Sequence, residues 1–259
     1  MRRIHCLTTT LVFAVIWFAG ETVSWAQNAA SPGYLKKGKL NPAIRGIPNA
    51  IGTRTEIPGK ERIVFQATKT VGGGSPTSVL LTYEWPGKVR IDDQADKHSS
   101  VFDGNGLSSS SGKASNDDAD ISEILTEDST EGMLASLVSN SNVRLVDTNV
   151  RIVDGSSSNR LTGTCDLFQV NYNSSTRGQK TTSEKFYCFD SKTKLLSTVV
   201  YKRGAITVET RILGWKSIGS DTVPTSIRRM ENGVEKFTLQ FASTQLAPLQ
   251  SDSTFQKQQ

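Results

Sequence analysis

Histidine and cysteine are nearly missing: His5 and His98, with Cys6, Cys165 and Cys188, are all that 259 residues supply. Catalysis built on paired histidines, and metal clusters built from His and Cys, therefore have almost no material, so no catalytic residue, metal ligand or cofactor is assigned. No C-x-x-C pair suggests a redox thiol. Nor does any apolar run after the N-terminal stretch reach the length of a bilayer span, which excludes a polytopic membrane protein. A hydrophobic fraction of 36% argues against a disordered chain. Charge of one sign is also scarce: 30 basic residues face 25 acidic ones. That mild excess lacks the concentrated basic face that nucleic-acid binding needs.

The N-terminus is patterned for export. Arg2 and Arg3 precede an apolar stretch from Leu11 to Gly20, and Ser24 and Ala26 supply small residues at a cleavage site. Residues 1–26 are expected to be a signal peptide. The apolar stretch is too short for a stable anchor, so a soluble periplasmic or secreted chain cut near Ala26 is expected. Its loss takes two Arg and one Glu and leaves 28 basic against 24 acidic residues. In such an oxidising compartment Cys165 and Cys188 are expected to form a disulfide, since strand-like segments flank both and could meet as a hairpin.

Residues 27–60 carry Pro32, Pro42, Pro48 and Pro58 among Lys36, Lys37, Lys39, Arg45 and Arg54, and read as a Pro-rich basic linker. The basic segment 36–62 is a candidate contact for an envelope partner. Residues 247–259 read as a disordered tail. Between them, 61–246 alternates apolar and polar residues in short runs punctuated by turns, the signature of antiparallel sheet. The fold class expected is α+β, mostly β: a curved antiparallel sheet around one or two helices.

Two hairpins are specific enough to test. A loop at Arg203-Gly204 pairs Tyr201 with Ile206, Val199 with Val208 and Leu195 with Ile212, with one face apolar throughout. A three-residue loop Glu231-Asn232-Gly233 pairs Ile227 with Phe237, Met230 with Val234 and Arg229 with Glu235. One helix interrupts the strands, with Asp117, Asp118 and Asp120 at its start and Ile121, Ile124, Leu125, Met133, Leu134, Leu137 and Val138 as an apolar stripe broken near Asp128 to Gly132.

Each chemical motif has a plainer reading that outweighs it. Ser191-Lys192-Thr193-Lys194 has the S-x-x-K form but falls in a turn, whereas that nucleophile must open a helix. Gly104-Asn105-Gly106 has no helix directly behind it to cradle a phosphate. Asp117, Asp118 and Asp120 suit helix capping better than calcium, because the calcium-loop spacing is absent. His98, with Asp92, Asp93 and Asp96 nearby, reads as a solvated loop histidine. Asn173-Ser174-Ser175 is a glycan acceptor only in a host that uses it.

The remaining candidate is an apolar cavity under the curled sheet, lined by Tyr83, Trp85, Val199, Tyr201, Val208 and Trp215. Around it runs a recognisable order. Trp85-Pro86-Gly87-Lys88-Val89-Arg90-Ile91 and Val101-Phe102-Asp103-Gly104 come first, then a helix ending near Leu134 to Val138. Phe189-Asp190-Ser191-Lys192-Thr193-Lys194-Leu195-Leu196 leads into a hairpin, and Val223-Pro224-Thr225 precedes the last strands. Over residues 60–246 this resembles the periplasmic lipoprotein-carrier (LolA/LolB-like) superfamily. The resemblance implies an incomplete barrel wrapped over helix, with an interior that accepts acyl chains, and hence lipid or an acylated protein as partner. No enzymatic activity is expected. The alternative is a secreted structural or interaction domain with a filled core.

Overall fold

The structure is a computed structural model, which describes residues 47, 50, 61–84, 87–103, 106–112, 115–130, 132–134, 143–153, 161–176, 179–248 and 255. The expected signal peptide, most of the linker and tail, Trp85, Leu137 and Val138 lie outside the described residues. Ile47, inside the stretch read as a linker, is helical and wholly buried.

Twelve strands form one antiparallel sheet: β1 (Glu61–Val71), β2 (Thr77–Glu84), β3 (Lys88–Asp93), β4 (His98–Asp103), β5 (Gly106–Ser111), β6 (Val143–Val153), β7 (Leu161–Thr176), β8 (Gln179–Asp190), β9 (Leu196–Arg203), β10 (Ile206–Ile218), β11 (Asp221–Glu231) and β12 (Val234–Pro248). Their order is β5-β4-β3-β2-β1-β12-β11-β10-β9-β8-β7-β6, and the sheet does not close into a barrel. Two meanders thus meet where β1 pairs β12. The connection between the outermost strands, β5 and β6, carries helix α1 (Asn116–Thr126). This is the mostly-β, incomplete barrel that the alternation and the resemblance led to expect.

Period-two alternation determines which face is buried. Ile63, Phe65 and Ala67 on β1, Val79, Leu81 and Tyr83 on β2, and Phe237, Leu239 and Phe241 on β12 point to one side and pack with Ile121, Ile124 and Leu125 of α1. A second cluster gathers Phe168, Val170, Tyr187, Phe189, Val199 and Val208 with Met133 and Ile47. Ser115 caps α1 by accepting from Asp117 N, and Asp118 returns to the Ser115 backbone N–H to complete a capping box. The acidic residues 117 and 118 thus serve the helix start as expected. The helix breaks after Thr126, and residues 130 and 132–134 are helical again.

Both tested hairpins depart from the expected register: the first by two positions, the second by one at Met230 and by two beyond a bulge. Val208 lies opposite Tyr201 and Thr210 opposite Val199, around a Gly204-Ala205 loop. Gly204 takes φ +63°, so glycine occupies the first loop position, where a side chain would be strained. A register shift between β8 and β9 then turns Leu196, rather than Leu195, into the core. In the last hairpin Glu231 pairs Val234 around a two-residue Asn232-Gly233 loop, both residues in the left-handed region. A bulge that skips Lys236 brings Arg229 opposite Phe237 and Ile227 opposite Leu239. An even displacement preserves the buried face, so the same side chains are inside with different partners.

Cys165 and Cys188 form the expected disulfide across the β7–β8 hairpin, with a Cα–Cα distance of 5.4 Å. Their separation of 23 residues implies that Cys165→Ser with Cys188→Ser lowers unfolding free energy by about 3 kcal/mol. Urea denaturation of the oxidised protein against the double variant measures this; identical midpoints would contradict it.

Candidate functional site

The inner face of the sheet carries a band of charge that the apolar pattern conceals. Lys185 of β8, Arg203 of β9, Arg229 of β11 and Lys236 of β12 all reach toward one side of α1 and the residues just after it. Asp120, Glu123 and Glu127 follow the three-and-four spacing of a helix, so they form one acidic stripe beside the apolar one.

Arg229 is completely buried and lies at the centre. It donates from Nη1 to Asp128 Oδ2 at 2.5 Å and to Thr210 Oγ1 at 2.6 Å, and from Nη2 to Glu123 Oε2 and the Tyr201 hydroxyl at 2.6 Å each. Asp120 accepts a further bond from Nη2 at 3.3 Å. Lys185 joins Asp128 at 2.7 Å, Glu127 at 2.8 Å and Glu123 at 2.9 Å, with its ammonium 4.3 Å from the centre of the Tyr201 ring. Lys236 and Arg203 close the outer side on Asp120, at 2.6 and 2.8 Å. Charges this deep persist only when paired, and here the groups arrive from five strands, β8 to β12, and from α1 and the residues just after it.

The ionisation states follow from this arrangement. Burial opposes the charge on Glu123, but Lys185 and Arg229 outweigh it and hold the carboxyl down at about 2. Burial likewise disfavours the Lys185 ammonium, yet Asp128, Glu123 and Glu127 raise its pKa well above the ordinary lysine value. The Tyr201 phenol is pushed upward by burial and by Asp128, so it remains a neutral donor and acceptor. Near neutrality Glu123 and Lys185 are therefore held charged and Tyr201 neutral.

Beside this cluster lies an apolar cavity of about 40 Å³, walled by Ile124 and Leu125 of α1 and by Phe65, Tyr83, Ile212 and Trp215 of the sheet; Asp128, Ser129 and Thr130 stand at its polar end. Of the six residues expected to line a cavity, Tyr83 and Trp215 do so, and the Trp215 indole N–H donates to Leu196 O at 3.1 Å. Val199 and Val208 are fully buried in the second core cluster instead. Tyr201 belongs to the charge cluster through its hydroxyl, and Trp85 is outside the described residues. Ile124, Leu125 and Ile212 were in the expected apolar stripe and hairpin, but sequence alone does not show that they face one another.

Three of the motifs are placed clearly. Asp190 Oδ1 accepts from the backbone of Lys192 and Thr193 and from Thr193 Oγ1, so the Phe-Asp-Ser-Lys-Thr run is a side-chain-closed turn. Ser191 and Lys194 both contact Asp166 there, in keeping with the turn reading. His98, by contrast, is 5% exposed and bonded through Nε2 to Asp118 at 2.8 Å, which corrects its reading as a solvated loop residue.

No protein-family model matches the chain. No curated protein matches it in sequence. Solved structures are similar in fold. A LolA superfamily protein from Nitrosomonas europaea superposes with a TM-score of 0.52 at 11% identity, covering 84% of this chain and 99% of that one. A DUF1329 family protein from Desulfovibrio piger gives 0.50 at 15% identity, covering 84% and 98%. The fold is distantly LolA-like, as the resemblance of the sequence implied. No helix among the described residues is long and apolar enough to cross a membrane.

The charge cluster makes stability depend on acid. Because the folded Glu123 titrates at about 2 rather than 4.5, its contribution is complete above pH 4.5 and is lost as pH falls toward 2. The loss is on the order of 3 kcal/mol. Glu123→Gln should be less stable at pH 7 and should show a shallower decline between pH 5 and pH 2. Urea titrations at half-unit pH steps compare the two proteins, and parallel pH profiles would refute the assignment.

Proposed function

We propose that this is an exported, non-enzymatic binding module that holds an acyl chain or another apolar ligand between α1 and the inner face of its sheet. The observation that carries the reading is the apolar cavity shared by Ile124 and Leu125 of the helix and Phe65, Tyr83, Ile212 and Trp215 of the sheet. One wall is a short helix connected to two edge strands, whereas the other belongs to a continuous sheet. A ligand therefore enters by displacing α1 rather than by opening strands. Each methylene it buries contributes about 0.8 kcal/mol before ordering costs. The likeness in fold to a LolA superfamily protein supports the same reading. Within it, residues 1–26 direct export, residues 27–60 tether the domain, and the basic segment 36–62 meets an envelope partner. Arg62 belongs to that partner surface least, since it is buried and bonded to Glu84.

One observation favours a second reading, a structural or interaction domain with a filled core. The cavity of about 40 Å³ holds about three waters, whereas small-molecule sites span roughly 300–1,000 Å³. The two readings differ in whether α1 yields.

Native mass spectrometry of the exported protein, with lipid extraction and uptake of a fluorescent fatty acid, separates them. The binding reading expects one acyl ligand per chain. Ile212→Trp, which fills the cavity from the sheet side, should reduce uptake at least tenfold while costing about 1–3 kcal/mol of stability from overpacking. A ligand-free mass and no uptake by the wild-type protein would leave the filled module.

A further inference from the structure

Away from the cavity, the β3–β4 turn brings together three groups that the binding reading does not use. A carboxylate oxygen of Asp93, a carboxylate oxygen of Asp96 and a ring nitrogen of His98 all lie within 4.8 Å of one another. His98 Nε2 is already engaged, 2.8 Å from Asp118 Oδ2. Nδ1 is buried and has no hydrogen-bond partner among the described residues. A carboxylate can only accept, so in the neutral imidazole the proton that meets Asp118 sits on Nε2 and Nδ1 presents a lone pair. A buried lone pair with no donor is costly unless something electrophilic occupies it.

We propose that Asp93, Asp96 and His98 Nδ1 bind a divalent first-row transition-metal ion, with Zn²⁺ as the probe. The donor set of one imidazole and two carboxylates suits such an ion better than a hard cation that prefers only oxygen. Asp118 supplies the outer support typical of a metal-binding histidine: it fixes the ring and its tautomer, and it is itself held by Ser100 Oγ at 2.7 Å. Gly112 closes the other side, where an added Cβ would come within 3.2 Å of His98 Cβ. Charge is also balanced. Asp93, Asp96 and Asp118 face one ammonium, Lys69 Nζ, at 3.2 Å from Asp93 Oδ2, which leaves a formal −2 for a divalent ion. Asp96 is exposed, so the ion has an entry path and water can complete its coordination.

The ion would also act on the helix. Asp118 closes the capping box of α1, so a metal on Nδ1, by making Nε2–H a stronger donor, tightens the contact that pins the helix start to the sheet.

The test is calorimetric titration of ZnCl₂ into the purified, tag-free chain with its disulfide intact. One saturable site per chain is expected. Asp96→Asn, at an exposed position that leaves folding intact, should weaken binding at least tenfold, and Asp118→Asn should weaken it about 10- to 100-fold without removing a ligand. The wild-type melting temperature should rise by about 5–10 °C at a hundredfold excess over Kd, and that of Asp96→Asn by far less. In ¹⁵N spectra the Nδ1 resonance of His98 should move on titration while Nε2 stays protonated. Absence of saturable binding would overturn the proposal. So would binding that Asp96→Asn spares.

Discussion

The buried Arg229 guanidinium is the constraint from which the arrangement of α1 follows. A cation with no solvent exposure requires anions around it, and the sheet alone supplies none at that point: Tyr201 and Thr210 offer hydroxyls, while Asp120, Glu123 and Asp128 come from the helix and its end. Removing α1 would leave Arg229 and Lys185 as unpaired charges on an apolar surface. The bulge at Lys236 fixes the register that turns Arg229 inward beside Ile227 and opposite Phe237. A local irregularity in one hairpin thus determines where a helix more than a hundred residues earlier must lie.

Such a cluster positions more than it strengthens. Desolvating both members of an ion pair offsets part of their attraction, so burial of Ile121, Ile124 and Leu125 against the sheet remains a main favourable term for docking. Specificity comes from the charges. An amphipathic helix could slide or rotate on an apolar surface at little cost, but a shift of one residue here would separate several carboxylates from their partners at once.

Much of this was legible in the sequence because period-two alternation survives errors in register. Val199 and Val208 were assigned to the apolar face, and they are buried, although their cross-strand partners differ from those expected. The disulfide was readable from compartment and hairpin, and the helix start from its acidic residues. The charge cluster was not, although a signal existed. Ile227 and Arg229 are two apart on one strand, so the alternation that buries the first must bury the second, and Lys185 stands in the same relation to Tyr187. Pairing Arg229 with Glu235 made it look like a surface pair and hid that consequence. His98 was misread for a similar reason: Asp118, which draws it inside, is twenty residues away and meets it only through the fold.

The helix is therefore held by apolar contact along one stripe and by polar contacts beside that stripe and at both ends. At its start Asp118 accepts from His98 and Ser100; beyond its end Asp128 accepts from Arg229, Lys185 and Thr210. These two attachments respond differently when α1 lifts. The charged end regains hydration as its ion pairs separate, which recovers part of the cost, whereas the apolar stripe loses burial with nothing from water to replace it. An acyl chain sliding beneath the helix would cover Phe65, Ile212 and Trp215 in place of Ile124 and Leu125. It would offset the one loss that solvent cannot. On the proposed binding reading, the same arrangement that keeps the interior closed in water is the one that an apolar ligand would open.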